Sequence, residues 1–178
     1  GSKPCLHETT LVVSNIAGVA GLDKAEAHNV NTVTIELDRS ISNRIERREA
    51  HERAIMTVMD EHEIEAIILS GYMRILSPLF VRAWEGRLLN IHPSLLPKYA
   101  GGMDTNVHEE VLKNGDTETG CTIHFVTEEV DRGPILIQKK CAVAFDDTVD
   151  TLKTKVQQLE GEAFIEAIQL IQNNSHVK

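Results

Sequence analysis

Hydrophobic and polar residues in the first half of the chain follow a pattern of strands that alternate with helices. Short apolar or alternating runs, which are typical of strands, lie at residues 10–15, 31–37, 65–72 and 87–92. Between the second and third runs, apolar residues recur at helical spacings and predict an amphipathic helix. Ser77 and Pro78 predict the start of another helix, because Ser is a good N-cap and Pro suits the first helical position.

The pattern changes in the second half of the chain. Two strand-like runs, at residues 120–127 and 134–145, are joined by a turn-like segment, and apolar residues from Thr148 onward predict one long helix. Together the two halves predict an α/β fold with an open, mostly parallel sheet, flanking helices and an antiparallel edge near residues 119–145. We expect a single domain over residues 1–178, in which residues 1–9 are typical of a tag or linker.

Composition and charge argue against nucleic-acid partners, membrane partners and cysteine-based metal or redox sites. The 178 residues are 42% hydrophobic and 25% charged, which is ordinary for a globular protein, and the net charge of -9 argues against a nucleic-acid partner. No apolar stretch is long enough to span a membrane, so no membrane partner is expected. Cys5, Cys121 and Cys141 have no metal or redox spacing. They indicate reduced thiols in the cytoplasm, or in an organelle if a transit segment was removed.

The ends of the predicted strands are the places where chemistry is expected, because ligands of open α/β sheets bind beyond the carboxyl ends of strands. Asn90 and His92 are two residues apart on an extended run, so they project to the same face. An amide and an imidazole there can stabilise an oxyanion and move a proton, and Asp131 can favour the charged imidazole. The alternatives are a loop-capping Asn-His pair and an ordinary turn aspartate.

The other histidines have structural interpretations. His124 alternates with apolar neighbours on its strand and is expected to be a satisfied structural histidine. Five more lie in polar surroundings and are expected at the surface: His7, His28, His51, His62 and His176. The sequence contains no zinc-spaced cluster, no nucleophile elbow and no Walker loop.

Four segments in matching order resemble the phosphoribosylglycinamide formyltransferase family: GYMRILSPLFV, RLLNIHPSLLPKYAG, GCTIHFVTEEVDRGPIL and DTVDTLKTKVQQLEGE. The similarity extends from about Val12 to Ile171. It implies transfer of a formyl group from 10-formyltetrahydrofolate to the amine of glycinamide ribonucleotide in purine synthesis, without a metal. The partners implied are these small-molecule substrates, and either a fusion partner or a homodimer is left open.

The resemblance also implies roles for individual residues. Asn90 and His92 would stabilise the oxyanion of the tetrahedral intermediate, and Asp131 would pair with His92 and help relay the proton of the amine. The positions implied for folate binding are Met73, Arg74, Ile75, Leu76, Thr127, Glu128, Glu129 and Val130. Those implied for ribonucleotide binding are Gly71, Ile91, Pro93 and Glu160.

One part of the family pattern has no match in this sequence. Family members begin with a central strand and a Gly-Ser-Asn-rich loop whose backbone amides bind the substrate phosphate, whereas residues 1–9 lead directly into what resembles the second strand. We therefore expect the first strand and the phosphate loop to be absent, which would leave neighbouring strand edges unpaired. Weaker binding of the ribonucleotide than of a folate analogue is expected as a result.

Two other functions compete with formyl transfer to the ribonucleotide. Formyltetrahydrofolate hydrolases share the Asn, His and Asp, but that family usually has a second His where this chain has Pro93. A non-catalytic folate-binding fragment is the other alternative. The three intact polar residues argue against a protein that has lost its activity by drift.

Overall fold

The computed structural model describes residues 7–102 and 104–175, which form two compact units. The first unit contains His7–Ala66 and Leu76–Trp84, and the second contains Ile67–Ile75 and the described residues from Glu85 onward. In chain order the elements are β1 (Leu11–Ser14), α1 (Ala20–Ala27), β2 (Asn31–Thr34), α2 (Arg44–Glu61), β3 (Ile67–Leu69), α3 (Pro78–Ala83), β4 (Leu88–His92), α4 (Asp104–Lys113), β5 (Glu118–Phe125), β6 (Ile135–Ala142) and α5 (Val149–Ser175). The single domain expected over residues 1–178 stays a prediction.

The first unit combines a parallel pair of strands, β1 and β2, with α1, α2 and α3. Two of its helices, α2 and α3, begin at side-chain caps, and the cap of α3 is the one predicted from the sequence. Ser77 accepts a hydrogen bond from the backbone N–H of Phe80 and is followed by Pro78 at the first turn of α3. Asn43 caps α2 in the same way, through the N–H of Ile45 at 2.9 Å.

Two polar side chains of α2 are buried, and for His51 this contradicts the prediction. His51, predicted at the surface, is 4% exposed, because its Nε2 lies 2.8 Å from the carbonyl oxygen of Ile35 and this contact satisfies the ring inside the unit. Glu52 is 1% exposed, and its carboxylate accepts hydrogen bonds from both the backbone N–H and the hydroxyl of Ser77. His176 lies outside the described residues.

The second unit is built on a four-stranded sheet of order β3-β4-β5-β6. β3 and β4 are parallel, whereas β4–β5 and β5–β6 are antiparallel, which confirms the antiparallel edge predicted near residues 119–145. The α/β class predicted from the alternation of strands and helices is also confirmed. Among the described residues, β4 is the one strand partner of β3.

The two faces of β4 and β5 differ in character. Leu89, Ile91, Cys121 and Ile123 pack in one core cluster with Val156, Ala163 and Ala167 of α5. Because side chains alternate across a strand, the intervening residues of β4 and β5 lie on the other face. That polar face carries Asn90, His92, Thr122 and His124.

Residues 93–102, called here the β4–α4 loop, are held by hydrogen bonds to the polar face. Thr122 Oγ1 donates to the carbonyl oxygen of Ser94 at 2.6 Å and accepts from the N–H of Leu96 at 3.0 Å. Gln138 Nε2, on β6, donates to the Leu96 carbonyl oxygen at 2.9 Å. Further along, the Tyr99 hydroxyl donates to Asp116 Oδ2 at 2.9 Å. These contacts hold the loop against the side chains of β5 and β6 and of Asp116.

No helix within the described ranges combines the length and the apolar character needed to cross a membrane.

Candidate functional site

The antiparallel register of β4 and β5 brings the candidate polar side chains together in the second unit. Asn90 lies directly opposite His124, and His92, at the end of β4, lies opposite Thr122. Asn90 Nδ2 is 3.3 Å from His124 Nε2. Residues paired in this way have neighbouring Cβ atoms, so the contact follows from the strand register itself.

Asp131 reaches the same place from the connection between β5 and β6. Its φ of 54° is in the left-handed region, which Asp tolerates better than most residues. The carboxylate Oδ2 lies 3.3 Å from His92 Nδ1 and accepts a hydrogen bond from the N–H of Gly101 at 2.7 Å. Its other oxygen, Oδ1, lies 3.4 Å from His124 Nε2. The structure therefore brings Asn90, His92 and Asp131 together, and it adds His124.

These side chains are largely shielded from water, with exposed fractions of 8% for Asp131, 4% for His92 and 2% for His124. Burial alone would raise the pKa of Asp131, but the hydrogen bond that His124 donates when its ring is protonated, the one from the Gly101 N–H and the charges of the two imidazole rings outweigh it. The pKa of Asp131 is therefore lower than its usual value. Asp131 is thus held as a carboxylate at neutral pH.

His92 is balanced between opposing influences. Burial lowers its pKa below the ordinary value of 6.5, whereas the Asp131 charge and a hydrogen bond to the carbonyl oxygen of Tyr99 act to raise it. The Nε2 atom is 2.9 Å from that Tyr99 oxygen, which can only accept, so Nε2 carries a proton. Both ring nitrogens of His92 are therefore engaged by the protein.

The cluster provides the parts that an acyl transfer to an amine requires. The amide group of Asn90 offers N–H donors for an oxygen that gains negative charge, and His92 adds a ring that becomes cationic beside Asp131. A buried imidazole next to a carboxylate can also pass a proton. Geometry thus supports oxyanion stabilisation and proton transfer at one place.

The segments predicted to bind folate are irregular and largely solvent-exposed. In the second unit, Met73 and Ile75 are 56% and 66% exposed, and Val130 is 49% exposed. The stretch from Thr127 to Val130 lies just before Asp131 and is folded back by a hydrogen bond from Thr127 Oγ1 to the Glu129 carbonyl oxygen. Leu76 belongs to the first unit. Folate contacts at all these positions stay a prediction.

The four positions predicted to contact the ribonucleotide lie within or close to strands and helices. Gly71 adopts a φ of 63° just after β3, and Pro93 directly follows β4. Ile91 is 7% exposed and its side chain belongs to the core, so the backbone is the part of it that a ligand can contact. Glu160 lies on α5, where its charge, after burial, helps to raise the pKa of the Cys121 thiol to about 12. Ribonucleotide binding stays a prediction for all four.

The described ranges 7–102 and 104–175 contain no group of three or more His, Cys, Asp or Glu side chains arranged to hold a metal ion. The expectation of metal-free chemistry stays a prediction.

Three groups of the site were missed by sequence reasoning: His124, the Tyr99 carbonyl and the Gly101 N–H. His124 was interpreted as structural because it alternates with apolar neighbours on its strand. The signal that could have found it is the pairing of β4 with β5, since one register places His124 opposite Asn90. The positions of the Tyr99 carbonyl and the Gly101 N–H depend on the path of the β4–α4 loop, which no sequence pattern predicted.

Comparison with known proteins gives a consistent result. The sequence profile of the formyl transferase family matches residues 3–168. The trifunctional purine biosynthetic protein adenosine-3 of Bos taurus is 46% identical over 167 residues, which cover 93% of this chain and 16% of that protein. The phosphoribosylglycinamide formyltransferase of Escherichia coli is 42% identical over 149 residues, or 84% of this chain and 66% of that enzyme. The chain thus spans less than two thirds of the length of these relatives.

Solved structures agree with the sequence relatives. The phosphoribosylglycinamide formyltransferase of Coxiella burnetii superposes with a TM-score of 0.80 at 37% identity, over 90% of this chain and 72% of that one. The corresponding protein of Brucella melitensis gives a TM-score of 0.80 at 40% identity, over 90% and 78%. The chain belongs to the formyl transferase family, and within it resembles the phosphoribosylglycinamide formyltransferases.

Proposed function

We propose that this chain transfers a formyl group from 10-formyltetrahydrofolate to the amine of glycinamide ribonucleotide. The observation that carries the proposal is the buried contact of Asp131 with His92. His92 and Asn90 lie on the same face of β4. The Escherichia coli and Brucella melitensis relatives are phosphoribosylglycinamide formyltransferases, which supports glycinamide ribonucleotide as the acceptor. Membership in the formyl transferase family supports the formyl group as the group transferred.

The reaction defines what each side chain must do. The neutral amine forms a bond to the formyl carbon, and the electron pair of the carbonyl moves to the oxygen, which becomes an oxyanion. An Asn90 N–H donates to that oxygen, and the positive form of His92 stabilises it. Asp131 favours this positive form, because it is an opposite charge in a buried setting.

Collapse of the intermediate then breaks the bond between the formyl carbon and the folate nitrogen. The amine has one proton too many, and the departing nitrogen needs one, so the net requirement is a proton relay without loss of protons. His92 and Asp131 are in contact and can serve as that relay, directly or through a water molecule. No covalent intermediate with the protein is required.

The test is to supply the full chain with 10-formyltetrahydrofolate and glycinamide ribonucleotide and to measure both products by mass spectrometry. Formylated ribonucleotide, formed only when both substrates are present, supports the proposal. Formate released without the ribonucleotide would support formyltetrahydrofolate hydrolase activity instead. Folate binding with neither product would support the non-catalytic alternative.

A control variant distinguishes this protein's activity from contamination. Asn90→Ala removes the proposed oxyanion donor, and the exposed His28, which is in the first unit, provides the matched His28→Gln control. We expect product from the wild type and from His28→Gln, and a large loss for Asn90→Ala. Equal activity in all three proteins would contradict the assignment of Asn90.

A further inference from the structure

The ring of His124 has partners with conflicting requirements. Its Nδ1 lies 3.0 Å from the carbonyl oxygen of Phe125, which can only accept a hydrogen bond, so Nδ1 carries a proton. Its Nε2 lies 3.3 Å from Asn90 Nδ2 and 3.4 Å from Asp131 Oδ1. The amide nitrogen can only donate, and the carboxylate oxygen can only accept.

One Nε2 atom cannot serve both partners in the same protonation state. When His124 is neutral, Nε2 has a lone pair that accepts from the Asn90 amide and faces the Asp131 carboxylate unfavourably. When His124 is positive, Nε2–H donates to Asp131 and opposes the N–H of Asn90. Imidazole changes between these states within the physiological range of pH more readily than any other side chain.

We propose that His124 is a positioning residue whose protonation state exchanges its hydrogen bond between Asn90 and Asp131. The hydrogen-bond exchange at His124 does not depend on which reaction the protein catalyses. The effect of the exchange on turnover rests on the proposed formyl transfer.

The neutral state is the one that prepares the site. One N–H of Asn90 is then anchored on His124, and the second N–H of the same amide is left for the formyl oxygen. Asp131 keeps the Gly101 N–H and the contact with His92. In the positive state the Asn90 amide loses its anchor, and the charge of Asp131 is shared between two imidazolium rings.

Among the residues that the structure describes, the polar and charged groups that face His124 can be named element by element. From β4 they are Asn90 and His92, and from the connection after β5 the charged group is Asp131. Its register partner on β6 is Ile135, which has no titratable group. The protonation of His124 is therefore coupled to His92 and Asp131, and both are part of the proposed relay.

Nitrogen NMR of the uniformly 15N-labelled full chain tests the exchange without any need for activity. Near pH 8 we expect neutral His124 to carry its proton on Nδ1 and to show a through-hydrogen-bond coupling between Nε2 and Asn90 Nδ2. On acidification we expect the coupling to disappear as Nε2 gains its proton. His51 is the internal reference, because its Nε2 faces the Ile35 carbonyl oxygen at 2.8 Å and should carry the proton.

Either of two results would overturn the proposal. One is neutral His124 with its proton on Nε2, and the other is an Asn90 amide signal that does not respond as His124 gains a proton.

Kinetics of two variants then test the effect on turnover. His124→Gln keeps an acceptor near the Nε2 position but cannot gain a proton, so its kcat should fall less between pH 7 and about pH 5.5 than that of the wild type. His124→Phe removes the acceptor, and its kcat at pH 8 should drop about tenfold, as expected for the loss of one positioning hydrogen bond. The exposed His28→Gln should retain the wild-type pH profile.

A pH profile of His124→Gln identical to that of the wild type would contradict a titrating role for His124. If formyl transfer is absent from the wild type, the proposed function fails, and the NMR titration still decides the exchange.

Discussion

Two buried carboxylates, one in each unit, are held in contrasting ways. Glu52 in the first unit accepts hydrogen bonds from the backbone N–H and the hydroxyl of Ser77, at the start of α3. Asp131 in the second unit accepts from the Gly101 N–H and contacts His92 and His124. Both side chains are almost inaccessible to water, so burial alone does not distinguish a structural carboxylate from a functional one.

The difference lies in the partners. An amide N–H and a Ser hydroxyl keep their protons at every physiological pH, so the Glu52 network has one stable state. Imidazole is the side chain that gains and loses a proton most readily near neutrality, so the partners of Asp131, unlike those of Glu52, can change their charge. Perturbed groups that contact titratable partners are candidates for function, whereas fixed donors indicate a structural role.

The largest expected effect is loss of activity on removal of the Asn90 or His92 side chain. Either alanine variant should lower kcat by a factor of about 10² to 10³, or about 2.7–4 kcal/mol of barrier. For Asn90→Ala this is typical of one lost oxyanion-hole donor. For His92→Ala it lies within the range for loss of a group that acts as a general acid or base. Turnover is measured at saturating substrates, and circular dichroism checks that the fold is kept. A variant with near-normal kcat would remove that residue from the proposed mechanism.

Glu52→Ala should have the opposite effect: it should lower the stability of the protein and leave kcat nearly unchanged. It leaves the buried N–H and hydroxyl of Ser77 without their acceptor, so the free energy of unfolding should decrease by about 1–3 kcal/mol. Below the unfolding temperature, kcat should stay close to the wild-type value. The matched control is Glu49→Ala on the same helix, because the Glu49 ion pair with Arg53 is partly exposed and should contribute about 0–1 kcal/mol. Equal destabilisation by both variants would contradict the role of Glu52.

Gly133→Ala should affect the position of Asp131 through packing. A Cβ at Gly133 would lie 1.8 Å from the carbonyl oxygen of Phe125, the same atom that accepts from His124. The connection that carries Asp131 must therefore shift, and we expect about 1–3 kcal/mol of destabilisation together with a reduced kcat. Gly21 in α1 has open space at this position, so Gly21→Ala should be stabilising and leave kcat unchanged. Normal turnover in Gly133→Ala would show that the site tolerates the shift.

The smallest expected change in free energy is a shift in the proton affinity of His92 in the variant Asp131→Asn. Burial lowers the pKa of His92 from 6.5, and the Asp131 charge opposes this, so its removal should lower the pKa of His92 further. Below pH 6.5, His92 then binds a proton more readily in the unfolded chain than in the folded protein. The free energy of unfolding of the variant should therefore fall more steeply than that of the wild type from pH 6.5 to about pH 5.

NMR titration of His92 gives the pKa directly, and denaturant unfolding at each pH gives the free energy. Asp60→Asn, at an exposed position of α2, is the matched control for loss of one negative charge. An unchanged titration of His92 would show that the contact with Asp131 has no electrostatic effect.

Local sequence was sufficient for most of the fold. The Ser77 cap and Pro78 predicted the start of α3, and helical spacing predicted α5, because these signals depend on neighbouring residues. The position of Asn90 and His92 on one strand face followed from the period of two along β4.

Features that depend on distant parts of the chain were not predictable from these signals. His124 requires the register of β5 against β4, and His51 is buried by a carbonyl group 16 residues away in the sequence. The Tyr99 and Gly101 contacts require the complete path of the β4–α4 loop. The division of strands into two sheets is likewise a matter of pairing rather than of local pattern.

The shielding of Asp131, His92 and His124 also determines how the site responds to salt. Ions screen exposed charges over a Debye length of about 8 Å at physiological ionic strength, but they screen buried pairs much less. The exposed ion pair of Lys140 with Glu118 should therefore weaken in concentrated salt, while the field of Asp131 at His92 persists. We therefore expect the interactions within this cluster to respond to pH more strongly than to salt concentration.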